Sequence, residues 1–257
     1  MSQLVITPIK GIPLVREGDL IPRLILDGLV SNDISLQDND IIVIAQKIIS
    51  KSEGRMVRLS DIAPSERAIQ LAEYIEKDPR LVELILRESN EVLRTKPGTI
   101  IVEHRLGFVC ANAGIDHSNV HELDPESNND HYLLLPVDPD GSARIIRDEI
   151  KAETGKNVGI VIIDSHGRAW RSGITGTAIG IAGVPALVDL RGTEDLFGYS
   201  LRVTQVASVD ELAAAASLMM GEANEGIPAV HVWGFPYDLR ESSMKELLRT
   251  KQDDLFR

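Results

Sequence analysis

The apolar and polar positions of this chain divide it into buried strands and amphipathic helices. Ile41 to Ile44 and Val158 to Ile163 contain no polar residue, which predicts strands covered on both faces. Shorter apolar runs predict further strands at Leu4 to Ile9, Leu201 to Ala207 and Ala229 to Trp233. The chain should therefore build a sheet with a largely buried centre.

Helices are predicted where apolar residues recur at helical spacing after a capping residue or a proline. They are expected at Leu20 to Leu29, Ser65 to Ile75, Asp78 to Leu93, Gly141 or Ser142 to Glu153, Val209 to Met220, and the charged tail Glu241 to Arg257. Thr99 to Glu103 and Leu106 to Ala111 alternate as a hairpin, and polar Asp124 to His131 predicts a mobile loop. No internal repeat or long linker divides residues 1–257, so a single unit is expected.

Composition narrows the class of protein. The 257 residues are 43% hydrophobic and carry a formal net charge of -12, which argues against broad binding to nucleic acid or anionic membranes. Pro8, Lys10 and Pro13 interrupt the N-terminal segment, so it does not resemble a signal peptide, and no apolar run approaches the roughly 20 residues of a membrane span. A single cysteine, Cys110, fits a buried inert thiol in a soluble cytoplasmic protein.

Candidate chemistry is concentrated between Val158 and Gly180. Asp164 and Ser165 are expected at the end of the buried strand, where a carboxylate beside a hydroxyl can hold a hard divalent cation. Arg168 and Arg171 follow with planar groups suited to phosphate or carboxylate oxygens. The segment suggests metal-assisted chemistry on a phosphorylated ligand, although an aspartate before Gly-Arg is also common in a simple turn.

Three carboxylates occupy similar positions along the chain. Asp116, Asp164 and Glu222 each follow an apolar element and precede a glycine-rich or polar loop. Mg²⁺ commonly uses one or two carboxylates together with phosphate oxygens, so the three acids could form a nucleotide-metal site. Separate solvated turn acids remain the alternative, because spacing in sequence does not give distance in space. No P-loop is present, and adjacent Asp164, Ser165 and His166 cannot form a catalytic triad with one another.

Several long motifs, in one order, resemble the coenzyme F420:L-glutamate ligase family, whose coenzyme is a deazaflavin. They are KGIPLV, ISKSEGR, NAGIDHSNV, LLLPVDPDGSA, DSHGRAWRSG, AIGIAG and MGEANEGIPAV, and together they cover nearly the whole chain. The resemblance implies a two-lobed α+β monomer of mixed sheets and helices in an intertwined homodimer. It also implies addition of L-glutamate to coenzyme F420-0, and of γ-linked glutamates thereafter, with GTP and Mg²⁺ or Mn²⁺.

The resemblance also assigns site residues. The implied metal ligands are Asp116, Asp164, Ser165 and Glu222. The implied guanine-nucleotide contacts are Ile12, Pro13, Leu14, Val15, Gln46, Lys47, Lys51, Asn119, Met220, Gly221, Glu222, Ala223, Asn224, Glu225, Gly226 and Ile227. Asp116, Asp164, Glu222 and Lys51 are the expected catalytic residues, and Lys51, Lys47 or the arginines are expected to stabilise the transferring phosphoryl group.

Two features qualify the resemblance. Ser165 stands where many members have threonine, which preserves the hydroxyl ligand. The flavin-binding domain that is fused to the C-terminus of some relatives is expected to be absent. A metal-dependent phosphohydrolase or kinase, and a nucleotide-binding regulator without turnover, remain the alternative functions.

Overall fold

The computed structural model describes residues 3–120 and 130–256, and it contains six α-helices and twelve β-strands within these ranges. The helices are α1 (Ile21–Ser31), α2 (Gln46–Ser52), α3 (Glu66–Ile75), α4 (Pro79–Arg87), α5 (Pro139–Thr154) and α6 (Ser208–Met220). The strands are β1 (Val5–Pro8), β2 (Ile41–Ala45), β3 (Met56–Arg58), β4 (Ser89–Lys96), β5 (Thr99–His104), β6 (Val109–Ala111), β7 (His131–Leu133), β8 (Gly159–Arg168), β9 (Arg171–Ala182), β10 (Val188–Asp189), β11 (Gln205–Val206) and β12 (Ala229–Trp233). None of these helices combines the length and apolar character needed to cross a bilayer.

A five-stranded sheet forms the centre of the fold, in the order β1-β12-β2-β8-β9. Strands β2 and β8 are its only parallel neighbours among the described strands, and they pair from Ile41 with Gly159 to Ala45 with Ile163. Their apolar runs are buried on both faces, as the absence of polar alternation predicts. These two strands confirm the predicted sheet centre.

Alternate residues of β8 enter different hydrophobic clusters because successive side chains of a strand point to opposite faces. Ile160 and Ile162 pack on one face with residues of α1, α2 and α5. Val161 and Ile163 pack on the other face with residues of α6. The sheet is thus covered by helices on both sides, which places the end of β8 between two layers.

Smaller sheets flank this centre. Strands β4-β5-β6 form an antiparallel sheet whose apolar residues pack with α3 and α4, and β3 pairs with β7. Strands β10 and β11 close a projecting hairpin, residues 188–206, which we call the arm. Every residue from 191 to 200 is exposed. The α+β class with mixed sheets agrees with the expectation, whereas the two lobes and the dimer stay predictions.

The predicted helix from Asp78 to Leu93 is wrong in its second half. Asp78 caps α4 by accepting a hydrogen bond from the backbone of Arg80, but the helix ends at Arg87. Ser89–Lys96 is β4, which pairs with β5. Intrinsic helix preference is worth only fractions of a kcal/mol per residue, so pairing across a sheet overrides it.

Other boundaries also differ. The charged tail is not a long helix but contains a 3-10 turn at Met244–Leu247, because Ser242 and Ser243 bond instead to Ala186 and Asp140. The strand expected at Leu201 to Ala207 shrinks to β11 within the arm. Helix α5 begins at Pro139, earlier than expected, after the Asp138 cap. Of the loop expected at Asp124 to His131, residues 124–129 lie outside the described part of the chain.

Candidate active site

Asp164 and Ser165 lie within β8, immediately beyond the point where its parallel neighbour β2 ends. The last β2–β8 pair joins Ala45 and Ile163, whereas β8 continues to Arg168 along β9. The expectation that the acid and hydroxyl follow the end of their own strand was therefore wrong. They do follow the end of the parallel pair, which is the edge where α/β sheets commonly carry their sites.

Helix α2 begins where β2 ends and brings polar side chains to this edge. The Gln46 side chain is buried, and its Nε2 donates to Asp116 Oδ2 at 2.6 Å while its Oε1 accepts from Ser50 Oγ at 2.8 Å. Lys47 Nζ lies 3.4 Å from Asp116 Oδ1 and 3.4 Å from Ser118 Oγ. The residues predicted after the core strand thus converge on Asp116.

Asp116 is a partly buried carboxylate in a rigid backbone setting. Its N–H and C=O both bond to Leu133 at 2.9 Å, so β7 fixes its position. Burial raises the pKa of Asp116 to about 6, while the Lys47 ammonium opposes that rise and the Asp164 carboxylate adds to it. Asp116 and Asp164, which are far apart in sequence, are therefore close enough to interact electrostatically.

Asp164 shares its face of β8 with aromatic and imidazole groups. Its Oδ2 lies 3.0 Å from His166 Nε2, and the His166 ring lies 5.3 Å from that of Phe108. Phe108 in turn stacks on His104. Burial, reinforced by the Arg105 charge, lowers the pKa of His104 to about 4, so this imidazole is neutral near pH 7. Burial raises the pKa of Cys110 to about 12, in keeping with an inert thiol.

Ser165 points to the opposite face of β8, toward the end of α6. Its Oγ lies 2.9 Å and 2.8 Å from the two carboxylate oxygens of Glu222, to which it donates. Glu222 is exposed and follows Gly221, whose φ of 74° lies in a region that few other residues adopt. The sheet thus separates the four predicted metal ligands into two pairs, one on each face.

A chain of hydrogen bonds links the two sides at the open end of the sheet. Lys51 Nζ donates to the carbonyl of Asn119 at 2.8 Å. Asn119 Nδ2 donates to the carbonyl of Ala223 at 2.9 Å, and the Ala223 N–H is bound by Glu225. Helix α2, the segment after Asp116 and the loop of residues 220–227 consequently meet in one place.

Two other predicted groups lie farther away. The segment of residues 12–15 contributes Ile12 and Val15 to the core beside α1 and α2, and Gly18, three residues after it, donates to the Ser52 carbonyl of α2 at 2.9 Å. Arg168 and Arg171 face each other at the exposed tip of the β8–β9 hairpin. Four residues of strand place Arg168 about 13 Å along the chain from Asp164, so the structure does not bring these arginines to the acids.

Comparison with known proteins adds to this geometry. Residues 10–234 match the F420-0:Gamma-glutamyl ligase family. The chain belongs to this family. It is 47% identical over 251 residues to the coenzyme F420:L-glutamate ligase of Methanothermobacter thermautotrophicus, with 97% of both chains covered. It is 44% identical over 250 residues to the ligase of the same name from Archaeoglobus fulgidus, with 97% of this chain and 95% of the relative covered.

Two contacts in the site of this gamma-glutamyl ligase family member were not predicted from the sequence. His166 was considered only as a triad residue, yet it contacts Asp164. Ser118 was not singled out, although it contacts Lys47. The spacing of Asp164 and His166, two residues apart on a strand, does predict a shared face and was the available signal for the first contact.

Proposed function

We propose that this gamma-glutamyl ligase family member joins L-glutamate to coenzyme F420-0 in a reaction that consumes GTP and requires a divalent metal. The observation that carries the proposal is the convergence of Lys47, Lys51, Asp116 and Asp164 with the loop of residues 220–227. Cations and carboxylates at one sheet edge suit phosphoryl chemistry on an anionic substrate. The names of the relatives supply the class of substrate.

The chemistry follows from the poor reactivity of a carboxylate. An ionised carboxylate is a weak acyl donor, so the γ-phosphoryl group of GTP first converts the substrate carboxylate to an acyl phosphate, leaving GDP. The glutamate amine then attacks the acyl carbon and displaces phosphate, forming an amide. Lys47 and Lys51 lie where an ammonium group can offset charge on the transferring phosphoryl oxygens.

The nucleotide is proposed to lie along α2 and the loop of residues 220–227. This loop follows α6 and contains Gly221 and Gly226, both with positive φ, so it can turn tightly around a ligand. Asn119 and Lys51 bridge the loop to α2 and close one side of the proposed site. The segment of residues 12–15, on the core side of α2, completes the set of proposed contacts.

The oxygen donors present suit a hard divalent cation. No group of three or more His, Cys, Asp or Glu side chains is placed to hold a metal ion among residues 3–120 and 130–256, but Mg²⁺ usually takes only one or two carboxylates and fills its shell with phosphate oxygens and water. Asp116 with Asp164, and Ser165 with Glu222, each meet that requirement. Burial raises the pKa of Asp116, so a cation beside this carboxylate would be favourable. A bound cation would supply charge neutralisation between phosphate oxygens.

The proposed assembly is a homodimer in which the arm contributes to the interface. Leu196, Phe197 and Val203 on the arm are 97%, 93% and 85% exposed, which is unfavourable for so much apolar surface unless another chain covers it. In sedimentation velocity, Leu196→Glu with Phe197→Glu should shift a wild-type dimer toward monomer. Val30→Glu, at an equally apolar exposed position of α1, should not. A wild-type chain that is a folded, active monomer would refute the assembly.

Mass spectrometry of the purified chain with F420-0, GTP, L-glutamate and Mg²⁺ or Mn²⁺ tests the proposed reaction. A ligase yields F420 species heavier by glutamate residues, together with GDP and phosphate. A phosphohydrolase would release phosphate without glutamate, a kinase would accumulate a phosphorylated product, and a regulator would bind GTP without turnover. Any of these three outcomes would contradict the proposed function.

A further inference from the structure

A cavity of about 210 Å³ lies at the free edge of β9, next to the candidate active site. Four parts of the chain enclose it: the loop before β6, the start of α5, the start of α6 and the turn at Met244–Leu247. Most of its wall is apolar, formed by Leu106, Phe108, Ile179, Met244, Leu247 and Leu248. The proposed nucleotide site does not include any of these residues.

The cavity and the acids share neighbouring side chains. Thr177 lines the cavity and is the cross-strand partner of Asp164 in the β8–β9 pair. Phe108 also lines the cavity, and its ring contacts His166, which is bound to Asp164. Directly opposed residues of an antiparallel pair lie about 5 Å apart, so a molecule in the cavity would be within one side chain of Asp164.

Charged side chains of both signs line the cavity, namely Asp138, Asp140, Asp210 and Lys245, and two of them carry the argument. Asp210, in the first turn of α6, accepts a hydrogen bond from the Ala178 N–H through Oδ1 at 3.1 Å, a bond that does not involve Oδ2. Lys245 lies on the turn that closes the other side. Within the described part of the chain, neither side chain forms an ion pair with any residue, so both charges are available to a molecule in the cavity.

Of the other two acids in the wall, Asp138 caps α5 and pairs with Arg144, and Asp140 has a different role. Its Oδ1 accepts from the Ile181 N–H at 2.9 Å, and its Oδ2 accepts from Ser243 Oγ at 2.8 Å and from the Met244 N–H at 3.2 Å. These bonds fasten the C-terminal turn to the edge of β9. Asp140 therefore helps to form the cavity, whereas Asp210 keeps an oxygen for a ligand.

Size selects among the three substrates of the proposed reaction. Drug-sized ligands occupy cavities of roughly 300–1,000 Å³, so this cavity is too small to enclose a guanine nucleotide or a deazaflavin bearing a ribityl phosphate. An amino acid is small enough. An amino acid also carries charges complementary to those of the wall, because its ammonium group can pair with a carboxylate and its carboxylate with a lysine.

We propose that this cavity binds the L-glutamate substrate, with Asp210 receiving its ammonium group and Lys245 receiving a carboxylate. The inference rests on the proposed ligase function for the identity of the amino acid. Its location beside Thr177 brings the amine near Asp164, where the acyl phosphate is proposed to form. The apolar wall would contact the methylene groups and exclude water from the amine's path.

Asp210→Asn and Lys245→Gln test the binding roles. Asparagine preserves the oxygen that accepts from Ala178, so the edge of β9 keeps its bond while the charge is lost. Each variant should raise KM for L-glutamate at least ~10-fold, as expected for loss of a charge-assisted hydrogen bond, with KM for GTP and F420-0 within about twofold of wild type. Glu211→Gln, at the exposed neighbouring position of α6, is the matched control and should leave all three constants unchanged.

Direct binding keeps this test separate from the test of the ligase reaction. In calorimetric titrations, with and without a nonhydrolysable GTP analogue and F420-0, wild type should bind L-glutamate at least ~10-fold more tightly than glutarate, which lacks the ammonium group. Asp210→Asn should abolish that preference. If the chain binds glutamate through Asp210 but has no ligase activity, the glutamate site is supported and the proposed function is refuted. Ligase activity with unchanged glutamate KM in both variants would refute the glutamate site in the cavity. A folded wild type that neither binds glutamate nor ligates it would refute the glutamate site and the ligase function together.

Discussion

The two faces of β8 place neighbouring residues in different environments. On one face, Asp164 is largely buried and lies near Asp116, whose pKa burial raises to about 6. On the other face, exposed Ser165 bonds to exposed Glu222. Because a strand alternates its side chains, an acid and a hydroxyl adjacent in sequence serve two separate pairs rather than one cluster. One strand thus presents oxygen atoms from both of its faces.

The difference in burial also has an energetic consequence. A buried carboxylate with few positive partners destabilises the folded chain, whereas an exposed one does so very little. Burial raises the pKa of Asp116 despite the nearby Lys47 ammonium, so the fold compensates this carboxylate only in part. Stored electrostatic cost of this kind is typical of a site that receives a cation or a charged substrate.

The largest expected effect is the loss of turnover when an acid on either face is neutralised. Asp116→Asn, Asp164→Asn and Glu222→Gln should each reduce turnover at least ~100-fold, because losing a charged metal ligand removes several kcal/mol of transition-state stabilisation. Exposed Asp33→Asn is the matched control and should retain wild-type turnover. Near-normal activity in Glu222→Gln alone would confine the chemistry to the buried face.

The free energy of unfolding should also distinguish the two faces, and on the buried face neutralising an acid should raise stability although it lowers turnover. Without metal, Asp116→Asn should increase the free energy of unfolding by about 3 kcal/mol near pH 7, because the variant removes the cost of a pKa raised from 3.8 to about 6, at about 1.36 kcal/mol per unit. Because folding raises the pKa of Asp116, its protonated form contributes fully to the free energy of unfolding below about pH 3.8. That contribution is lost as the pH rises through about 6. The advantage of the variant should accordingly shrink toward pH 4.

Denaturant melts at several pH values measure this effect, and Glu222→Gln serves as the exposed counterpart. That variant should change the free energy of unfolding by less than ~0.5 kcal/mol at each pH, as is usual for surface substitutions. Equal stabilisation by the two variants would show that the faces do not differ in burial cost. A less stable Asp116→Asn would show that Lys47 and Gln46 already compensate the carboxylate.

The smallest expected effect concerns the hydroxyl on the exposed face. Ser165→Ala should lower turnover by about 10-fold, corresponding to one lost oxygen ligand or hydrogen bond of about 1.4 kcal/mol, while Ser165→Thr should remain within about threefold of wild type. Steady-state rates at saturating substrates provide the measurement. If Ser165→Ala matches wild type, the Ser165–Glu222 pair does not act through its hydroxyl.

The elements that the sequence predicted best are those with local signals. Ile41 to Ile44 and Val158 to Ile163 are unbroken β-branched runs, and burial on both faces is the only favourable place for them. The helix predicted through Leu93 was wrong from Ser89 onward because these residues are nearly neutral toward helix and strand. Pairing with the distant strand β5 decided the outcome. The helix predicted for the charged tail was wrong because Ser242 and Ser243 bond to the distant residues Ala186 and Asp140, which the local pattern does not reveal.

The site could be predicted residue by residue but not as an arrangement. Asp116, Asp164 and Glu222 were recognisable from their positions after apolar elements, whereas their division between two faces depends on the register of β8 with β9. Gln46 and Lys47 were recognisable as a polar cluster, but only the fold shows that they meet Asp116. The cavity with Asp210 and Lys245 joins four distant segments, so no local pattern reveals it.

An isotope-transfer experiment tests most directly the central claim that this site activates a carboxylate by phosphoryl transfer. F420-0 labelled with heavy oxygen in its carboxylate is incubated with the chain, GTP, Mg²⁺ and L-glutamate. Attack of the amine on an acyl phosphate leaves one carboxylate oxygen on the departing phosphate. We predict one labelled oxygen in inorganic phosphate for each first glutamate added, with GDP as co-product. Label in GMP, with release of pyrophosphate, would contradict the proposed role of Asp116, Asp164, Ser165 and Glu222.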